Sequence, residues 1–195
     1  MIVRYDWVTE LEPAAPDIVA AWRGIEEGRP IGLRRMVRAS AGNGSAERTA
    51  TQLAALAEAL TALTAAIPDA LLRSPGGEAD WNVAETVGHV ADARAGLALA
   101  AAKAASGSWP HDAPSVVPGI AGSPDADRAV LLRRIERSQR IVERCARTVT
   151  GHETEACPLE HPLVGRLRCG EWLVFAGVHD LMHLEQLHDL TEGAR

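Results

Sequence analysis

Trp172-Leu-Val-Phe-Ala-Gly-Val-His179-Asp-Leu-Met-His183-Leu-Glu-Gln186-Leu-His-Asp-Leu190 is the stretch on which the fold turns. Steps of four and three from Trp172 select Ala176, His179, His183, Gln186 and Leu190, which share one face of one helix. A bundle-facing stripe normally carries leucine. Two imidazoles and an amide placed there cost free energy unless each finds a partner, and a divalent metal is the partner that histidines at i and i+4 suit best.

Three further helices are readable upstream of it. Leu53, Leu56, Leu60, Leu63 and Ile67 repeat at helical spacing, and Pro68 with Ser74-Pro-Gly-Gly77 ends that run. Asn82-Val-Ala-Glu85 has the spacing of a capping box and opens a helix through His89, Ala93 and Gly96 to about Ala105. A third helix is expected from Ser123 as N-cap and Pro124 at its first position, with a buried seam of Leu131, Ile135, Ser138, Val142, Cys145 and Val149. No stretch alternates with period two for long enough to predict a strand. The expected fold is all-α: a four-helix bundle over residues 47–195, crossed by a proline-rich loop from Ser106 to Gly122. Residues 1–46 hold one short helical candidate, Asp17 to Glu27, and a Gly/Ser-rich tether from Ala39 to Ser45, so they read as an N-terminal extension dispensable for the bundle.

Composition narrows the partners. A net charge of −6 over 195 residues argues against nucleic acid and anionic membranes, both of which need a basic patch. No apolar segment is long enough to span a bilayer and no signal-peptide pattern opens the chain. Three cysteines, Cys145, Cys157 and Cys169, form no CxxC pair, so a reducing cytoplasm is the expected compartment and a small molecule the expected partner.

His89 supplies the third candidate ligand. Alone it would be an ordinary core histidine donating to a carbonyl, but a second helix able to present it to His179 and His183 makes the three a metal site. The His179-Asp-Leu-Met-His183 string departs from the zinc-protease pattern H-E-x-x-H, because Asp180 is a methylene shorter than the glutamate general base. A protease is therefore not expected, and Asp180 reads as a solvated residue or a partner for a neighbouring histidine. Gln186 is a candidate orienter of a ligand or metal-bound water, or an interhelical amide. Asp92 could orient His89 or pair with Arg94. His188 points away from the stripe and reads as surface, and His111, His152 and His161 lie in loops with no ligand spacing. Cys145 reads as a small hydrophobe, and nothing near Cys157 or Cys169 predicts a reactive thiolate.

Taken together, Trp81-Asn-Val-Ala-Glu85-Thr-Val-Gly-His89-Val-Ala-Asp92, His161-Pro-Leu-Val-Gly165-Arg-Leu and Glu171-Trp172 followed by His179-x-x-x-His183-x-x-Gln186 resemble the DinB/YfiT-like family across about residues 48–191. The resemblance implies a four-helix bundle in which His89, His179 and His183 hold a divalent metal, commonly zinc or nickel, often in a homodimer. Members with known activities include transferases and isomerases that use mycothiol or bacillithiol, so it also implies a low-molecular-weight thiol as cosubstrate. Three neutral imidazoles and an open position suit activation of that thiol for S-transfer or thiol-assisted isomerisation. Hydrolysis of an amide or ester by metal-activated water, and a metal- or ligand-binding bundle without turnover, are the competing expectations.

Overall fold

The computed structural model describes residues 6–26, 30–76 and 80–193. Seven α-helices and one small sheet follow in the order α1 (Asp6–Leu11), α2 (Pro16–Glu26), α3 (Pro30–Ser40), α4 (Ala46–Ala66), α5 (Val83–Ala105), α6 (Arg128–Val149), β1 (Ala156–His161), β2 (Gly165–Arg168) and α7 (Cys169–Gly193). Helices α4 to α7 are the four expected bundle helices. They pack with α4 and α5 each flanked by α6 and α7, so chain neighbours α4 and α5 face each other across the diagonal. That diagonal puts α5 beside α7, as a shared site requires.

Local chemistry sets the helix ends. Asn82 accepts from the Glu85 backbone N–H at 2.9 Å while the Glu85 carboxylate accepts from Asn82 N–H at 2.9 Å, which is the capping box expected for α5. Helix α6 starts later than expected, at Arg128, because Asp127 rather than Ser123 caps it, accepting from Val130 N–H at 2.7 Å. The Pro124, Asp125 and Ala126 carbonyls instead receive the Arg73 guanidinium. All six residues of the expected α6 seam are buried.

The antiparallel pair β1 and β2 is a structure the sequence reading did not include. Its inward residues are Cys157, Leu159 and Leu167, but β1 contains Pro158, and the register shifts between Ala156 and Glu160 where that residue lacks an N–H. On the far edge of β1 the proline-rich loop adds a short parallel bridge. Val117 N–H donates to the Glu160 carbonyl at 2.9 Å and Glu160 N–H to the Ser115 carbonyl at 2.8 Å.

The segment read as an extension and tether is packed into the same core. Ile18, Val19, Trp22, Leu33 and Val37 are buried with the bundle leucines. Helix α2 crosses α7 at Gly177, where a Cβ would stand 2.4 Å from Ile18 Cδ1, so no larger residue fits without displacing the crossing. Gln52 of α4 accepts from the Asp17 and Ile18 backbone N–H groups at 2.9 and 3.1 Å, satisfying the start of α2. The tether is held too: buried Glu153 accepts from Gly44 N–H at 3.1 Å and, with its other oxygen, from Gly151 N–H at 3.0 Å.

One buried charge touches every bundle helix. Arg94 of α5 is fully enclosed and pairs with Asp180 of α7 at 3.0 Å. Its Nη2 donates to the Leu53 carbonyl of α4 at 2.7 Å and to Gln139 Oε1 of α6 at 3.1 Å. Asp180 is therefore neither solvated nor a histidine partner, and Asp92 reaches Arg134 at 3.3 Å rather than Arg94 or His89.

Two predictions follow from this packing. Trp22→Ala is expected to cost about 3–5 kcal/mol in denaturant unfolding, as for a core tryptophan, whereas Ile31→Ala at an 80% exposed position stays within about 0.5 kcal/mol. Equal effects would return α2 to the status of an appendage. Arg94→Met alone strands the Asp180 carboxylate and is expected to cost about 3–5 kcal/mol, most of it recovered by adding Asp180→Leu. Additive losses in that double-mutant cycle would contradict the pairing.

Candidate metal centre

His89 comes from the middle of α5, and His179 and His183 from successive turns of α7. One ring nitrogen from each lies within 4.8 Å of the others. His89 Nε2 and His179 Nε2 are 3.1 Å apart, close to the edge of about 3.3 Å that two nitrogens subtend in a tetrahedron with bonds near 2.0–2.1 Å. The rings meet edge to face, with centroids 4.6 to 5.0 Å apart.

Neighbouring groups fix which nitrogens carry lone pairs. His89 Nδ1–H donates to the Ile120 carbonyl at 2.5 Å, so its Nε2 is left as the free donor atom. A carbonyl only accepts, so the contact of Gln186 Nε2 with the Gly76 carbonyl turns the amide oxygen toward His183. His183 Nδ1–H then donates to Gln186 Oε1 at 2.8 Å, which places the lone pair of His183 on Nε2. His179 Nδ1 is buried with no hydrogen-bond partner. Burial, reinforced by His183, His89 and His161, holds the His179 pKa well below the ordinary imidazole range, so this ring stays neutral and able to ligate. A cation held among the lone pairs gives these three converging imidazoles a common partner, and the donor set fits a divalent ion.

The triad forms one end of a cavity of about 750 Å³. Helix α5 lines it with His89, Ala93, Gly96, Ala100 and Lys103, and α7 with Met182 beside its histidines and Gln186. Trp109, Pro110, Val117 and Ile120 of the proline-rich loop form the opposite wall, and Leu159, His161 and Pro162 of the hairpin close a side. No carboxylate lines it among the described residues. Trp81 packs on His89 at 4.7 Å between ring centroids.

Sequence reasoning gave His161 no role, because spacing along one chain cannot show a hairpin folding back over a helix. The structure places it in the cavity wall, 4.8 Å from the Phe175 ring. Its Nδ1 accepts from Leu163 N–H at 3.1 Å, so the neutral ring presents Nε2–H as a donor, and burial lowers its pKa. The signal was the His161-Pro-x-x-Gly165 pattern, in which Gly165 takes a φ of 69° to turn the hairpin. His188, off the histidine stripe as expected, is half-buried and stacks on Trp7 at 4.8 Å. His152 is exposed beside Glu155. Cys145, Cys157 and Cys169 are buried away from the cavity, and burial raises each thiol, that of Cys169 to about 12.

Replacing His89, His179 or His183 by alanine is expected to remove bound metal from protein purified without an affinity tag, while His152→Ala retains it. Elemental analysis of the four variants checks this, and equal metal content would dismiss the site. Because only the folded chain assembles the triad, added metal also raises the melting temperature in proportion to the logarithm of its concentration.

No curated protein and no solved structure matches the chain. Among the described residues no helix is long and apolar enough to cross a membrane. The family profile described as the DinB superfamily matches residues 13–187, beginning before the expected bundle boundary and taking in α2 as its packing requires. With its helical fold and three converging histidines, the chain belongs to the DinB superfamily.

Proposed function

We propose that this protein is a metal-dependent thiol S-transferase, or a thiol-assisted isomerase of the same chemistry, using a low-molecular-weight thiol such as mycothiol or bacillithiol. One observation carries the reading: three imidazoles converge at the end of a cavity whose described lining offers no carboxylate. A divalent ion held there, zinc or nickel as the family resemblance implies, would keep its full charge and supply the means to deprotonate a thiol at neutral pH. Hydrolysis is less well served, since metal-activated water is ordinarily assisted by a carboxylate base.

The chain's own residues supply the rest. His89, His179 and His183 are the ligands, with the Ile120 carbonyl orienting His89 and Gln186 orienting His183. The apolar walls bind the body of an electrophile and exclude water from the nucleophile. His161 Nε2–H is the donor for negative charge that develops on the electrophile. The attacking thiol is external, because none of the three cysteines reaches the cavity and burial keeps each protonated. In a substitution the new carbon–sulfur bond replaces a carbon–leaving-group bond, the leaving group departs with the electron pair, and the thiol proton passes to solvent.

Metal-loaded protein is expected to accelerate conjugation of mycothiol or bacillithiol to an activated aryl halide. His89→Ala abolishes that rate together with the metal, and His161→Phe lowers kcat by about tenfold or more with metal content unchanged. Cleavage of an activated ester without thiol, inhibited when thiol is added, would replace this reading with a hydrolase. Tight metal with no turnover on either substrate would leave a binding protein.

A further inference from the structure

Five of the residues that α5 gives to the cavity form one stripe, with Leu97 and Leu99 on its flanks: His89, Ala93, Gly96, Ala100 and Lys103 follow steps of four, three, four and three. On a straight helix its ends are about 21 Å apart. Between them the side chains are small, and a Cβ added at Gly96 would meet nothing within 4 Å, so the space above the stripe is open. The facing walls are hydrocarbon: Trp109, Pro110 and Val117 from the loop, Leu159 from the hairpin. Leu99 and Met182, 42% and 37% exposed, continue that surface outward.

Lys103 stands at the other end from the triad. It is the only lysine in the chain, every other cationic side chain with a permanent charge being arginine. No ion pair joins it to a carboxylate among the described residues, and the cavity itself offers none. A compact ammonium on a flexible stem, next to an uncharged passage, favours a single negative charge on an otherwise apolar molecule.

We propose that the cavity selects an elongated apolar carboxylate, its body lying along Ala93, Gly96 and Ala100, its carboxylate at Lys103 and its other end at the histidine triad. This rests on the triad being the reacting end, and it specifies the electrophile's shape and charge. Its carboxylate is distant from the bond that changes, so Lys103 is a specificity residue.

Binding of decanoate, decanol and decyltrimethylammonium to the full-length, metal-free protein, followed by calorimetry, tests it. Removing the metal prevents a carboxylate from binding there, and leaves the measurement independent of thiol transfer. Wild type is expected to bind decanoate about two- to fivefold more tightly than decanol, the range for an exposed charge pair, and the ammonium most weakly. Lys103→Glu reverses the order of decanoate and the ammonium. Gly96→Leu, whose side chain enters the open passage, weakens decanoate and decanol alike while the protein still takes up metal. Equal binding of the three probes by wild type, an unchanged order in Lys103→Glu, or a decanoate preference that appears only after metal is restored would overturn the proposal.

Discussion

The Arg94–Asp180 pair is the constraint on which the arrangement of this protein depends. A fully enclosed guanidinium must find its compensation inside the bundle: it lies 3.0 Å from a carboxylate on α7 as an ion pair, and its Nη2 donates to a carbonyl on α4 and an amide on α6. Burial pushes the Asp180 carboxyl up, to about 7, against the pull of Arg94. Asp180 adjoins His179 in sequence, so fixing it also sets the rotation of α7 about its axis. The pair contributes less through its own attraction than through the penalty for every packing that would leave Arg94 unpaired.

With α7 fixed in rotation, the cavity follows from side-chain size. Small residues on α5 leave open space between the helix and the proline-rich loop, yet Gly122 lets the same loop touch α5, since a Cβ there would fall 2.1 Å from the Glu85 carbonyl oxygen. That contact brings the Ile120 carbonyl to His89, so the loop both walls the cavity and orients a ligand. The hairpin performs a similar double task, its edge pinning the loop and its turn presenting His161. A triad of imidazoles, a donor histidine and hydrocarbon walls form a setting in which a bound cation would be the main local source of charge.

Much of this was legible in the sequence where periodicity is long. The four bundle helices, the Asn82 capping box and the shared face of His179 and His183 follow from spacings within single helices, which the chain itself records; that His89 joins them was an expectation from the bundle and the family resemblance. The hairpin was not legible, because β1 is six residues long and interrupted by Pro158. Nor was the packing of α2, whose burial rests on Gly177 and on Gln52 reaching across 34 residues to Ile18 N–H. Asp180 shows the same limit: its place between two histidines suggested a role toward them, while its partner lay on another helix. The resemblance was drawn over about residues 48–191 and left out the helices before residue 46, which pack into the same core.

X-ray absorption at the metal edge, with and without added thiol, tests the central claim most directly. A shell of three imidazole nitrogens near 2.0–2.1 Å with lighter scatterers completing it is expected, joined by a sulfur shell near 2.3 Å when a low-molecular-weight thiol is added. A sulfur shell present before any thiol is added, fewer than three imidazoles, or a spectrum that thiol leaves unchanged would contradict that claim.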